Sequence, residues 1–167
     1  ATLLSATSQI VEALRSKMDQ VASMLPEYPV VMSMNGVGST LGPQLMAEIG
    51  DLTRFSHRGA LTAFAGVDPG ADQSGDHDRK SNRTSKKGSS HLRKTLFLIM
   101  DGLIQRSPED SPVYVFMDKK RSQGKPYLVY MTAGANKFLR IYYGTVREYL
   151  KRKGLWPDPE SDEVNPV

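Results

Sequence analysis

Apolar residues recur every three to four positions along most of this chain and alternate over no convincing run, so the core has to be assembled from helices. The pattern is plainest at the start, where Leu4, Thr7, Val11, Leu14, Met18, Val21 and Leu25 keep a heptad spacing with only Thr7 out of character. This predicts a coiled-coil-like connector helix over residues 1–26, stopped by Pro26 and Pro29. The spacing fits equally a helix packed on its own domain, a dimerising coil, or a coil to a neighbouring domain. Because the chain starts at this helix without an initiator methionine, a preceding domain is expected upstream.

The same reasoning sets the later elements. A helix is predicted from Leu41 to Ile49, closed by Gly50, and a short one capped by Ser56 and ended by Gly66. Ser89 or Ser90 caps a strongly apolar helix carrying Leu92, Leu96, Ile99, Met100, Leu103 and Ile104, which Ser107-Pro108 breaks. Another is predicted from about Pro112 to Ser122 with Val113, Phe116 and Met117 inward. The last runs from Tyr127 to about Lys153 with Leu128, Met131, Phe138, Ile141, Tyr142, Val146 and Leu150 on its apolar side. The expected fold class is therefore all-α, a helical domain over 27–153 followed by an acidic, proline-rich tail over 154–167.

A chain of 167 residues at 39% hydrophobic content can bury one substantial core. It holds no apolar run near the ~20 residues that span a bilayer, and no basic-then-apolar leader, so a cytoplasmic protein with no membrane partner is expected. The absence of cysteine removes thiol nucleophiles, disulfides and thiolate zinc, and three histidines scattered at 57, 77 and 91 argue against a structural zinc site, leaving at most a looser magnesium contact through Asp72, Asp76 or Asp78. Net charge is only +4, but its placement is uneven. Between Arg79 and Lys94 stand Arg79, Lys80, Arg83, Lys86, Lys87, Arg93 and Lys94 with no acidic residue among them. Such a stripe reads either as a solvated face or as a nucleic-acid surface.

Two further segments bear on that choice. Asn35-Gly36-Val37-Gly38 ahead of a helix has the form of a helix-hairpin-helix, in which Gly36 and Gly38 permit a tight turn and amides at the next helix's start can grip a phosphate. An ordinary turn between helices fits the same residues. The second segment, Gly66-Val67-Asp68-Pro69-Gly70-Ala71-Asp72-Gln73-Ser74-Gly75, leads into the basic stripe. A serine becomes a nucleophile when a base takes its proton and the charge on the electrophile is neutralised. Arginine and lysine would neutralise a phosphodiester, and His77 or Asp76 could act as base; a plain turn serine is the alternative. Asp72, Ser74, Asp76 and Asp78 alternate as in a calcium loop, but His77 and Arg83 stand where such a loop needs glycine and glutamate. From Asp68 to about Ser85 the glycines and charges offer little apolar area to offset ordering, so a mobile loop is expected.

Taken together, three blocks resemble one family over roughly residues 29 to 152: Gly36-Val37-Gly38 to Ala47-Glu48-Ile49-Gly50-Asp51, Phe64-Ala65-Gly66-Val67-Asp68-Pro69 with Ser74-Gly75, and Ser85-Lys86-Lys87-Gly88-Ser89-Ser90-His91-Leu92-Arg93-Lys94. In order and spacing they look like the C-terminal domain of insertion-sequence transposases of the IS-one-hundred-and-ten type. The resemblance implies an N-terminal RuvC-like domain with four acidic metal ligands, absent from this chain. It also implies a coiled-coil connector and a C-terminal helix-hairpin-helix domain with a nucleophilic serine. Carried onto this sequence, it makes Ser74 the nucleophile and Gly36 and Gly38 the hairpin, with Arg79, Lys80, Arg83, Lys86 and Lys87 as phosphate contacts, joined by Arg93 and Lys94 from the stripe. No cofactor is expected in this chain, Mg2+ being held through the other domain. The implied partners are DNA, a bridging non-coding RNA and further copies of the full-length protein. Departures from the family's usual pattern are Asp76, His77 and Asp78 directly after the serine motif and Asn82 in place of a glycine. The expected function is DNA cleavage and rejoining through a phosphoserine during transposition, with a non-catalytic helix-hairpin-helix binding module and a helical dimerisation domain as the alternatives.

Overall fold

The computed structural model describes residues 2–68 and 88–157, and among them it contains helices and no strand. In chain order the helices are α1 (Thr2–Ala22), α2 (Tyr28–Met32), α3 (Leu41–Ile49), α4 (Arg58–Ala65), α5 (Ser90–Arg106), α6 (Pro112–Ser122) and α7 (Tyr127–Arg152), with a 3-10 turn at Leu52–Arg54. The expected all-α class is what the structure has.

Helix α7 is the axis. Its buried face, Met131, Ala135, Phe138, Leu139, Tyr142 and Val146, packs against α4, α5 and α6. From α5, Leu92, Leu96, Ile99, Met100 and Leu103 complete the core, each such side chain contributing about 1.5–3 kcal/mol by leaving water. Gly134 lets α6 and α7 approach closely, because a Cβ there would run into Met117 and stand 3.0 Å from the Met100 sulfur. On the other side of α5 lies α3. Its placement is keyed by a small polar network, in which Thr95 Oγ1 and Gln44 Nε2 both donate to Glu48 Oε1 at 3.1 Å. Exchanging such a network for a slipped packing would strip the half-buried Glu48 Oε1 of both donors, which is how polar groups fix register.

Local sequence signals explain most boundaries. Ser89 caps α5 by accepting from the Leu92 amide, Ser111 caps α6 by accepting from Tyr114, and Ser107 ends α5 in the left-handed region at φ 50°. Helix α4 starts one residue later than Ser56 predicts. His57 is its cap, Nδ1 accepting from the Ala60 amide at 3.1 Å, because His57 has the extended backbone a cap requires. Phe116, expected inward, is half buried, and Leu128 is exposed, since the first turn of α7 lies beyond the helices that cover the rest. That turn is tied instead by Tyr127, whose hydroxyl donates to Asp101 at 2.7 Å; this bond, with a smaller effect of burial, pushes the phenol up to about 12.

Helix α1 ends at Ala22, short of Pro26, where the chain relaxes into bonds from Met24 to Val21 and from Leu25 to Ala22. Its last turns touch α3, and Tyr28 donates back to Asp19 at 2.7 Å. Every residue from 2 to 18 is exposed, including the heptad positions, with Leu4 at 80% and Leu14 at 59%. Of the three readings of this helix, packing on its own domain therefore holds for its last turns and not for residues 2–18.

Candidate nucleic-acid interface

Helix α2 carries Pro29 in its first turn and ends at Met32 with Ser33 as its C-cap, and the chain then reverses through residues 33–40 into α3. Gly36 is needed there twice over. Its φ is +86°, which side chains rarely adopt, and a Cβ would stand 3.0 Å from both Ile99 Cγ2 and Leu103 Cγ on α5. Gly38 is different: nothing lies within 4 Å of where its Cβ would be, and residues 38–40 are exposed. At the start of α3, Thr40 makes no side-chain cap, and the amides of Ser39, Thr40 and Leu41 meet no acceptor among the described residues. Amide donors of this kind, at the positive end of a helix, suit an anion.

The second element of the site is a clasp. Gly66 closes α4 at φ +66°, and the chain passes through Val67 and Asp68 before the undescribed stretch 69–87 returns it at Gly88. Both ends are pinned together. The Ser89 amide donates to Phe64 O at 2.6 Å, and Arg93 Nη1 donates to Ala65 O at 3.0 Å. Gly88 lies so close that a Cβ on it would strike the Phe64 carbonyl and the Gly66 amide. From α7, Asn136 Nδ2 donates to Asp68 Oδ1 at 2.8 Å. Behind the clasp, Arg54 lies over the rings of Phe55 and Phe64 at 4.4 and 4.5 Å and donates to Ile49 O, joining the end of α3 to α4.

The residues expected to carry function divide as follows. Ser74, Arg79, Lys80, Arg83, Lys86 and Lys87 lie outside the described residues, as does most of the loop expected to be mobile. Gly36 and Gly38 sit in the α2–α3 turn. Arg93 is half buried with one guanidinium nitrogen committed to the clasp, whereas Lys94 beside it is exposed. Hairpin and clasp are at different levels of α5: Gly36 packs at Ile99–Leu103 and the clasp at Ser89–Arg93, about 15 Å apart at 1.5 Å per residue. Among the described residues no three His, Asp or Glu side chains converge as metal ligands would. Asn136 and Arg54 were invisible to sequence reasoning, since each acts on a residue far away in the chain. The glycine at 88 was the one available signal for the clasp.

The described residues and these two turns define an all-helical arrangement with an open glycine turn before α3 and a clasp between the end of α4 and the start of α5. The chain belongs to the Transposase IS116/IS110/IS902 family, whose model matches residues 28–114, a stretch that includes both turns. It is similar to the Insertion element IS110 uncharacterized 43.6 kDa protein of Streptomyces coelicolor, 24% identical over 148 residues, which cover 89% of this chain and 36% of that protein. The Pilin gene-inverting protein of Moraxella bovis is 28% identical over 127 residues, covering 76% of this chain and 37% of its own length. The Insertion element IS900 uncharacterized 42 kDa protein of Mycobacterium paratuberculosis is 24% identical over 157 residues, covering 89% and 38% respectively. The chain thus spans little more than a third of the length of these relatives. No described helix is long and apolar enough to cross a membrane.

Proposed function

We propose that this domain binds DNA and supplies the nucleophilic serine of a transposase that cuts and rejoins DNA ends. The observation that carries the reading is the family match over 28–114, because that one stretch contains the hairpin, the clasp, Ser74 and the whole basic stripe. The relative named for pilin gene inversion supports it, since inverting a DNA segment requires that strands be cut and rejoined.

In the proposed reaction Ser74 Oγ attacks a backbone phosphorus. A P–O bond to serine forms, a P–O bond to deoxyribose breaks, the serine proton goes to a base such as His77 or Asp76, and the departing sugar oxygen takes up a proton from that base or from water and leaves as a hydroxyl. The phosphoserine conserves the energy of the broken bond, so a second DNA end can displace the serine without a nucleotide cofactor. Arg79, Lys80, Arg83, Lys86, Lys87 and Lys94 hold phosphates, Arg93 sets the base of the segment, and the amides behind Gly36 and Gly38 hold a phosphate further along. Mg2+ belongs to the acidic RuvC-like domain that the resemblance implies, and this chain's own residues do the binding and the attack. A bridging RNA would be held by the same contacts, which see backbone and not bases.

A salt titration tests the surface. With about five phosphate contacts from the stripe, log affinity for duplex DNA should fall against log salt with a slope of roughly −4 to −5. A slope near zero, or no binding at low salt, removes the nucleic-acid reading.

The exposed seam of α1 we assign to self-association of the intact protein through a paired coil. Leu14→Glu with Met18→Glu should convert an oligomer to monomer in sedimentation velocity and leave the domain folded, because neither side chain packs on it. A wild-type protein that is already monomeric contradicts the assignment.

A further inference from the structure

Two lysines meet over one ring where α6 and α7 cross. Phe116 of α6 is half buried; Lys120, one turn on, brings its ammonium 4.9 Å from the ring centroid, and Lys137 of α7 brings its own to 4.7 Å. The negative face of an aromatic ring attracts each ammonium, but it neutralises neither. Two like charges on one ring repel each other, and among the described residues neither lysine has an ion-pair partner, the pairs there being Arg15 with Glu12 and Arg121 with Asp118. The exposed Arg140, one turn beyond Lys137, adds to the same charge.

The position of the pair narrows its use. Asn136, adjacent to Lys137, holds Asp68, the last described residue before the 69–87 segment. Lys137 therefore lies on the same turn of α7 as the contact to Asp68, about 100° round the helix axis from Asn136, and both lysines are on helices that the 79–94 stripe does not include. Holding the ammoniums against Phe116 also restricts the two side chains before any ligand arrives, which lowers the entropy lost when they grip one.

We propose that Lys120 and Lys137, held on Phe116, form a further contact for the phosphodiester backbone of duplex DNA, at the turn of α7 that also holds Asp68. This rests on the DNA-handling reading above. Lysine is a point charge that carries no base-reading geometry, so the contact adds affinity and places the strand without selecting sequence.

The test measures binding of the 167-residue chain to a short DNA duplex and to an RNA duplex of the same length across a salt series. K120Q/K137Q should weaken DNA binding roughly tenfold at low salt and make the slope shallower by about 1.8, the loss of two phosphate contacts. K120R/K137R, keeping both charges, should restore affinity and slope, which separates a lost charge from a disturbed fold. If K120Q/K137Q leaves DNA binding unchanged while K86Q/K87Q weakens it, this proposal fails and the stripe stands. An effect confined to the RNA duplex overturns the assignment to DNA. If the wild type binds no duplex, both readings fall together.

Discussion

Ser74→Ala, made in a transposase carrying this domain, is expected to abolish the covalent protein–DNA adduct and all rejoined product while leaving folding and DNA affinity nearly unchanged. The substitution removes one oxygen and no charge, so the phosphate contacts that dominate affinity persist and stability should move by less than about 0.5 kcal/mol. Chemistry is another matter. With no cysteine anywhere in the chain, there is no thiol to take over, and attack by water would release the bond energy that joining needs. The measurement is denaturing electrophoresis with end-labelled DNA, comparing wild type, Ser74→Ala, Ser81→Ala and Ser85→Ala. Adduct surviving in Ser74→Ala, or lost in one of the other two instead, refutes the assignment of the nucleophile even with the family membership intact.

Gly88→Ala is expected to be the most damaging single methyl in the described part of the site. An added Cβ collides with the Phe64 carbonyl and the Gly66 amide, both backbone atoms that cannot rotate away, and the bond from Ser89 to Phe64 has to open. Forcing a group into a packed contact costs about 1–3 kcal/mol, which for a domain of this size lowers Tm by roughly 5 °C. If the clasp places the attacking serine, adduct formation should fall by a larger factor than DNA affinity, since a shift of about 1 Å in a reacting group can cost about a hundredfold in rate. Gly38→Ala is the internal comparison. Its Cβ meets open space, so Tm should hold, and any loss falls on DNA binding through the exposed α3 amides. Equal Tm values for Gly88→Ala and wild type by scanning calorimetry would mean that the clasp does not hold the domain together in this way.

The helices were legible before the structure because their signals are local. The 3.6-residue periodicity of Leu92, Leu96, Ile99 and Leu103 follows from the geometry of one helix. Ser89, Gly50 and Gly66 act on amides and carbonyls only a few residues away, so the start of α5 and the ends of α3 and α4 lie where their own residues specify. Where two neighbouring residues compete for one role, as Ser56 and His57 do for the cap of α4, the backbone angle decides, and His57 has the extended one. The three family blocks were likewise readable, since their order and spacing lie along the chain.

Contacts between residues far apart in the chain were not readable. Nothing in Asn136 points to Asp68, nor in Gly36 to Ile99 and Leu103, and nothing in Lys120 announces that Lys137 shares its ring. The sequence by itself determined that this is an all-helical chain with two glycine turns, a heptad seam and a concentrated basic stripe. Only the tertiary structure decided that the seam stays uncovered, that Arg93 serves the clasp, and that the hairpin and the clasp sit about 15 Å apart on α5. The physical reason is that periodicity and capping are properties of one segment's backbone. Which faces meet depends instead on how several amphipathic helices jointly bury their apolar area, and no single segment encodes that choice.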